Sequence, residues 1–89
     1  MGPVGEHCPQ PEYPVAARQE GVEGSVVLLL HVGPDGGVLE VRVVSSSGDA
    51  RLDRAARDTA ATWRFRPGIK GGRAVSTWVS KTISFRLED

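Results

Sequence analysis

The sequence lacks an excess of charge of either sign, and it lacks a long hydrophobic run. Its 89 residues include 11 Lys and Arg and 11 Asp and Glu, so the formal net charge is zero. This balance argues against a nucleic-acid-binding protein, because neutralising phosphates needs a surplus of basic residues. No apolar run approaches the ~18 residues that a membrane-spanning helix needs, so we expect no such helix in this chain.

Cysteine and histidine are scarce, which limits the chemistry that the chain can perform. Cys8 is the single cysteine, so no intramolecular disulfide can form, and Cys8 and the two histidines lack the spacing of a metal site. His7 adjoins Cys8, but neighbours in a proline-rich segment are a weak signal of a catalytic pair. His31 falls in a strand pattern and is interpreted as a partly buried structural residue. Since a G-x-S-x-G turn is also missing, we predict a protein that is not an enzyme and has no cofactor or metal.

The beginning of the chain has no apolar segment of the kind found in signal peptides. Four prolines occur in the first twenty residues: Pro3, Pro9, Pro11 and Pro14. Because proline and glycine disfavour regular structure, residues 1–9 are predicted to form a flexible lead or linker remnant, and residues 10–89 one small domain. The composition fits a cytosolic protein and a domain of a longer exported protein equally well.

Hydrophobic periodicity predicts a short helix and then a central strand. Pro14 suits the first position of a helix that continues over residues 15–20 and ends at Gly21. Residues 24–32 alternate in orientation but are rather apolar on both faces. A strand of that kind is typically covered on both sides by neighbours in the sheet or core, so we predict that it is central.

A glycine-rich turn over residues 33–37 predicts an antiparallel hairpin. The turn joins two strand patterns, whereas a phosphate-binding loop would lead into a helix. Residues 38–45 form the second strand of this hairpin. Alternation predicts that Leu39, Val41 and Val43 face the core.

From residue 51 the apolar period changes from two to about 3.6, which predicts an amphipathic helix. Its apolar stripe consists of Leu52, Ala55, Ala56, Thr59, Ala60 and Trp63. Residues 45–49 offer N-capping side chains. Asp53 and Arg57 are predicted to form an ion pair one helical turn apart.

Residues 73–87 are predicted to form one long last strand, half buried and half solvated. Together the elements predict an α+β fold, a small antiparallel three-stranded sheet with two helices packed on one face. Trp63, Phe65 and Leu52 are expected to fill its core. Trp78 has the opposite parity to the core residues of the last strand and is predicted to lie on the other face.

Two features point to binding rather than catalysis. Between Asp49 and Arg73, seven basic residues stand against three acidic ones, a pattern typical of a solvated helix face or of a patch for an acidic partner or polyanion. The last strand is expected at the edge of the sheet, where unpaired N–H and C=O groups can accept a strand from a partner peptide. Alternatively, pairing in a homodimer covers that edge.

The order of short motifs resembles the TonB C-terminal domain family. Gln10-Pro11-Glu12-Tyr13-Pro14, followed by a short helix and Gly21, is similar to the opening of that domain. The further matching motifs are Val32-Gly33-Pro34-Asp35-Gly36, Ser46-Ser47-Gly48 with Leu52-Asp53, Trp63-Arg64-Phe65-Arg66-Pro67-Gly68, and Phe85-Arg86-Leu87. Each motif is short, but the ordered set is fairly specific and covers about residues 10–87.

This resemblance implies a periplasmic domain that transmits energy from an ion-driven inner-membrane motor complex to outer-membrane transporters. Such domains grip a TonB-box peptide of the transporter, which adds as a strand to the last strand of the domain. By motif, Gln10 and Pro11 fall in a contacting lead. The accepting edge corresponds to Ser76, Thr77, Trp78, Val79, Ser80, Lys81 and Thr82.

The same resemblance implies an inner-membrane anchor and a contact with the motor proteins, both in an N-terminal part that this sequence does not include. A homodimer is compatible with it as well. The alternative interpretation is a related domain of another envelope-spanning machine, such as a TolA-like or motility complex, or of a receptor, with a different envelope partner.

Overall fold

The structure, a computed structural model, describes residues 4–87. This part of the chain contains two helices, α1 (Val15–Gln19) and α2 (Ala50–Ala60), and seven strands. The strands are β1 (Val4–His7), β2 (Gly24–Val32), β3 (Val38–Ser45), β4 (Arg64–Arg66), β5 (Gly68–Lys70), β6 (Arg73–Val75) and β7 (Thr77–Phe85). The predicted α+β class and the predicted antiparallel three-stranded sheet are confirmed.

The main sheet has the strand order β3-β2-β7, with antiparallel pairing on both sides of β2. The central place of β2 confirms what its two apolar faces predict. Its side chains Val26, Leu28, Leu30 and Val32 are buried, and those between them are partly exposed. The helices therefore cover one face of the sheet, and the other face is open over much of its area.

Helix α2 begins where the sequence provides a cap and packs by its small side chains. The carboxylate of Asp49 accepts the backbone N–H of Arg51, which satisfies one of the unpaired donors of the first turn. Alanines at the contact let the helix lie close to the sheet. The buried core comprises Ala17, Val26, Leu28, Leu30, Val32, Leu52, Ala56, Ala60, Trp63, Phe65, Ile83 and Phe85. The predicted core positions of Leu52, Trp63 and Phe65 are confirmed.

Strand β3 differs from the prediction of which side chains face the core. A register shift in its pairing with β2 makes Leu39 an extra residue of a β-bulge. Leu39 is consequently 62% exposed, and Val38 packs against the core in its place. Val41 contacts the core as predicted, whereas Val43 is 38% exposed on this edge strand.

The beginning of the chain has more regular structure than the predicted flexible lead. Strand β1 pairs antiparallel with β4, which satisfies backbone groups of both segments. Cys8 follows and is partly buried against the core. Residues 1–3 of the predicted lead lie outside the described residues, as do residues 88–89, and the domain boundary at residues 9 and 10 stays a prediction.

The predicted long last strand is divided at Ser76 into β6 and β7. Strand β6 pairs with β5 in a separate hairpin, whereas β7 pairs with β2. The turn of this hairpin is Gly71-Gly72, and both residues have positive φ, 58° and 78°, which glycine adopts without strain. The described part of the molecule is elongated, with extents of 49 × 20 × 17 Å.

Candidate binding edge at strand β7

Strand β7 ends the main sheet on one side, and its pairing with β2 is regular. Nine consecutive residue pairs, from Gly24–Phe85 to Val32–Thr77, follow one another without a register shift. The opposite edge strand, β3, pairs with β2 through two register shifts. Bulges of that kind bend and twist an edge and make it a poor template for a further strand. Of the two edges of the sheet, β7 is thus the regular one.

The residues of the predicted accepting edge lie at the beginning of β7. Ser76 is the residue between β6 and β7, and residues 77–82 belong to β7 itself. Burial alternates along them as predicted, because Thr77, Val79 and Lys81 are partly buried while the residues between them are exposed. A strand added here would meet two different surfaces on its two faces.

Trp78 lies on the open face of the sheet and is 42% exposed, as its parity predicts. Its indole stacks on the His31 ring of the paired strand, with centroids 4.5 Å apart and an interplanar angle of 10°. The Arg42 guanidinium carbon lies 4.9 Å from the indole centroid, and Arg42 is also ion-paired with Glu40. All three strands thus contribute to one aromatic and charged platform beside the β7 edge.

Sequence reasoning found Trp78 but missed His31 and Arg42 as its neighbours. The expectation that His31 is a partly buried structural residue agrees with its position under the indole. The signal that could have joined His31 to Trp78 is the register of β2 and β7. This register depends on long-range pairing and cannot be read from local alternation.

Gln10 and Pro11 lie between two fixed points of the chain. On one side, the indole N–H of Trp63 donates to the carbonyl of Pro9 at 2.8 Å. On the other side, the Tyr13 ring packs edge-on against Phe85 at 5.4 Å. The segment from Pro9 to Tyr13 is therefore attached to the core next to the end of β7. Phe85 is three residues beyond Thr82, the last residue of the predicted edge.

The hydroxyl oxygen of Thr77 is buried and has no hydrogen-bond partner among residues 4–87. Buried polar atoms in native proteins nearly always have a partner, because leaving one unsatisfied costs free energy. Thr77 thus places an unused hydrogen-bonding group at the first residue of β7.

The strongest charge cluster joins the two helices and lies outside the predicted edge. Arg51 forms a two-bond ion pair with Glu20 and a second ion pair with Asp49. Its hydrogen bonds lower the pKa of Glu20 and lower that of Asp49 to about 2, and both carboxylates raise the pKa of Arg51. The cluster fixes the end of α1 to the beginning of α2.

Asp53 extends this cluster, and it does so instead of forming the predicted pair with Arg57. Its carboxylate accepts hydrogen bonds from Ser46 and Ser47. Burial raises the pKa of Asp53, but these hydrogen bonds together outweigh burial, so the pKa is lowered. The ion pair one turn apart on α2 is instead Arg54–Asp58 at 3.7 Å.

We expect the substitution Arg51→Gln to weaken the acid dependence of stability. Lowered pKa values of Glu20 and Asp49 stabilise the fold above the carboxylates' ordinary pKa of about 4, and this contribution is lost as the pH falls toward about 2. The variant should have a lower Tm than the original protein at about pH 7 and nearly the same Tm at about pH 2. Thermal unfolding followed by circular dichroism across this range checks it.

Arg54→Gln is the matched control, because the Arg54–Asp58 pair is more exposed and wider than the pairs of Arg51. Its Tm should follow the curve of the original protein at every pH. An equal loss of Tm for Arg51→Gln at both ends of the pH range would contradict the assignment of the acid dependence to these carboxylates.

Other parts of the described chain offer little for catalysis. Residues 4–87 contain no group of three or more His, Cys, Asp or Glu side chains placed to hold a metal. No helix in this range is long and apolar enough to cross a membrane. An open groove of 310 Å³ lies between β3 and α2, lined by Val38, Leu39, Glu40, Val41, Arg57, Asp58 and Ala61. Its walls combine four apolar residues with three charged ones and carry no Ser, Cys or Lys nucleophile next to a base.

A regular sheet edge with backbone groups free to pair is the feature by which one class of protein-interaction domains takes up a peptide strand. The comparisons identify the class. The family model for the Gram-negative bacterial TonB protein C-terminal matches residues 9–87. The chain therefore belongs to the TonB C-terminal family, and the resemblance stated from its motifs is confirmed.

Individual relatives agree with this assignment. Protein tonB2 of Pseudomonas aeruginosa is 43% identical over 81 residues, which cover 91% of this chain and 30% of that protein. Protein TonB of Vibrio cholerae is 35% identical over 79 residues, which cover 89% of this chain and 32% of that protein. The chain thus spans about a third of the length of these relatives.

The fold agrees with a solved structure as well. The solution NMR structure of the Pseudomonas aeruginosa TonB CTD superposes with a TM-score of 0.83 at 30% sequence identity, covering 100% of this chain and 90% of that chain. The family and the architecture of this chain are therefore both shown.

Proposed function

We propose that this domain binds a TonB-box peptide of an outer-membrane transporter by strand addition to β7, and that it passes on energy from an inner-membrane motor complex. In this proposal the domain works in the periplasm and performs no catalysis. Contact with the motor proteins and anchoring in the inner membrane belong to a part of the protein N-terminal to this domain. The family assignment over residues 9–87 supports the transducing role.

The regular edge of β7 is the observation that carries the proposal. Nine residues of β7 pair with β2 without a bulge, and β7 is the last strand of its sheet within the described part of the chain. An edge strand in this position presents a row of backbone donors and acceptors, which gives an added strand its affinity. The side chains of the added strand then contact the platform around Trp78 on one face and the residues around Lys81 on the other.

The segment with Gln10 and Pro11 provides a second contact with the peptide, at the side of β7, in the proposed complex. Gln10 is exposed and Pro11 is partly buried, and the bonds of Pro9 and Tyr13 to the core hold both residues in place. A peptide lying along β7 toward Phe85 would approach this segment. Because the lead is already ordered, little conformational entropy is lost there on binding.

Alternate N-methylation of the peptide tests strand addition without changing the protein. A strand paired to β7 uses the N–H groups of every second residue. Methylating the peptide nitrogens of one parity is therefore expected to weaken binding at least about tenfold, and methylating those of the other parity to leave it nearly unchanged. Isothermal titration calorimetry with a TonB-box peptide and its two methylated forms measures the difference.

Amide NMR of the same titrations locates the site. Strand addition to β7 predicts the largest shift changes at Gln10 and at residues 76–82, with small changes along β3. Equal losses from both methylation patterns, or shift changes confined to β3, would rule out the proposed mode of binding.

A further inference from the structure

Basic and acidic residues are unevenly distributed along this chain, although their numbers are equal. Residues 59–87 contain six basic residues and no Asp or Glu. The six are Arg64, Arg66, Lys70, Arg73, Lys81 and Arg86. None of them takes part in the ion pairs found among residues 4–87, in contrast to Arg51 and Arg54 of α2. Eight basic residues take no part in the ion pairs found among residues 4–87, and six of these eight lie in the segment from β4 to the residue after β7.

Two of these cations stand directly opposite each other at the tip of the β5–β6 hairpin. Lys70 and Arg73 are the paired residues that flank the Gly71-Gly72 turn, and both are exposed. Like charges facing each other across two strands destabilise a hairpin. The Gly71-Gly72 turn is sufficient to form the hairpin, so the turn does not explain why both flanking residues are basic. This arrangement is unfavourable by itself and becomes favourable when an anionic group lies between the two side chains.

The hairpin lies next to the proposed peptide edge. The single residue Ser76 joins strand β6 to β7. The β5–β6 hairpin therefore follows the end of β7 at which Thr77 pairs with Val32, and the tip is the far end of this hairpin. The hairpin pairs within itself and not with the main sheet. Because Arg73 stands four positions before Thr77, a peptide that runs along β7 past Thr77 would reach Lys70 and Arg73 within about four residues of its paired strand, at roughly 3.3 Å per residue.

We infer that the β5–β6 hairpin is an electrostatic docking element for carboxylates in the protein segment that directly flanks the strand added to β7. The inference depends on the proposed function, since it names the chemistry of the partner outside the paired strand. The partner is an extended acidic stretch at one end of that strand. Lys70 and Arg73 take up its carboxylates at the tip, and the regular edge of β7 takes up the strand.

Three synthetic peptides with the same TonB-box strand test this inference. One carries two aspartates after the strand, one carries two aspartates before it, and one carries two serines at each end. We expect one acidic peptide to bind about three to ten times more tightly than the neutral one, as two exposed ion pairs allow. The direction of the added strand decides which of the two gains. The gain should be lost in Lys70→Gln/Arg73→Gln and should shrink between about 50 mM and 500 mM salt.

The double variant Arg54→Gln/Arg57→Gln is the matched control, because it removes the same charge from exposed positions of α2. It should keep the gain for the acidic peptide. Both double variants should bind the neutral peptide with the affinity of the original protein, which shows that the β7 edge is intact.

Each other outcome has a distinct meaning. No binding of the neutral peptide to any form of the protein would contradict strand addition itself. Binding of all three peptides with equal affinity would overturn the hairpin inference and leave strand addition standing. An equal gain for both acidic peptides, or a loss of the gain in the α2 control, would show a general attraction by net charge and overturn it too. Hairpin-dependent binding to vesicles containing anionic lipid, without a gain for either acidic peptide, would assign the tip to a membrane surface instead.

Discussion

Replacing Trp63 by alanine is expected to lower the free energy of unfolding by about 3–5 kcal/mol, the usual cost of deleting a large buried aromatic side chain. Trp63 is 5% exposed, packs edge-on against Phe65, and donates its indole N–H to the carbonyl of Pro9. The substitution removes core volume and releases the lead at the same time. Since a small domain has only about 5–15 kcal/mol of net stability, this loss is a large share of the total and should lower the Tm markedly.

The second tryptophan supplies the control for this prediction. Trp78→Ala removes the same side chain from an exposed position, where the contacts with His31 and Arg42 contribute about 1 kcal/mol. Urea unfolding followed by far-ultraviolet circular dichroism, which does not depend on tryptophan fluorescence, compares the two variants. Trp63→Phe separates packing from hydrogen bonding, because it keeps a ring in the core and loses the N–H donor. Similar costs for Trp63→Ala and Trp78→Ala would contradict the core role of Trp63.

The substitution Gly36→Ala is expected to destabilise the fold by about 2–5 kcal/mol. Gly36 has φ of 89°, a conformation that costs an L residue about 1–2 kcal/mol. In addition, a β-carbon at this position would lie 2.0 Å from the carbonyl oxygen of Phe65. That oxygen belongs to the backbone, so β4 must move, at a cost of about 1–3 kcal/mol typical of overpacking. The movement would also weaken the hydrogen bond from the Phe65 N–H to the Gly36 carbonyl, which is 2.8 Å long.

Gly48→Ala distinguishes the two contributions. Gly48 also has a positive φ, 95°, but a β-carbon there would meet no atom within 4 Å. It should therefore cost only the conformational strain, about 1–2 kcal/mol. Chemical unfolding of both variants measures the difference, which reports the close approach of the 33–37 turn to β4. Equal costs at the two glycines would show that this approach contributes nothing to stability.

The parts of the fold that local pattern determines could be predicted. Residues 24–32 are apolar on both faces, and they form the central strand with the predicted bounds. The 3.6-residue stripe ending at Trp63 predicted α2 and its buried side, because periodicity reports which face of an element is covered. The parity of Trp78 likewise placed its side chain on the open face.

The parts that depend on long-range pairing could not be predicted. Leu39 has the parity of Val41, and only the register shift against β2 shows that Leu39 is the extra residue of a bulge. Residues 4–7 have no strand pattern of their own and become ordered through β4, about sixty positions later in the chain. In the candidate site, the residues of the β7 edge could be predicted from the alternation of the last strand and from the motifs of the family. The Arg42 contact and the anchor of Pro9 depend on contacts between segments that are distant in the sequence. The pair Lys70–Arg73 is local, and it was missed because residues 73–87 were predicted to form one continuous strand.

The way in which residues 4–9 are attached to the core has a mechanical consequence under the proposed transducing function. A pull on Val4 loads the short β1–β4 pairing first, then the bond between Trp63 and Pro9, and only then the sheet. Detaching residues 4–9 would release about 20 Å of slack at roughly 3.3 Å per residue. In the proposed function, residues 4–9 would therefore detach and extend under a sudden load before the core and the proposed binding edge of β7 are disturbed.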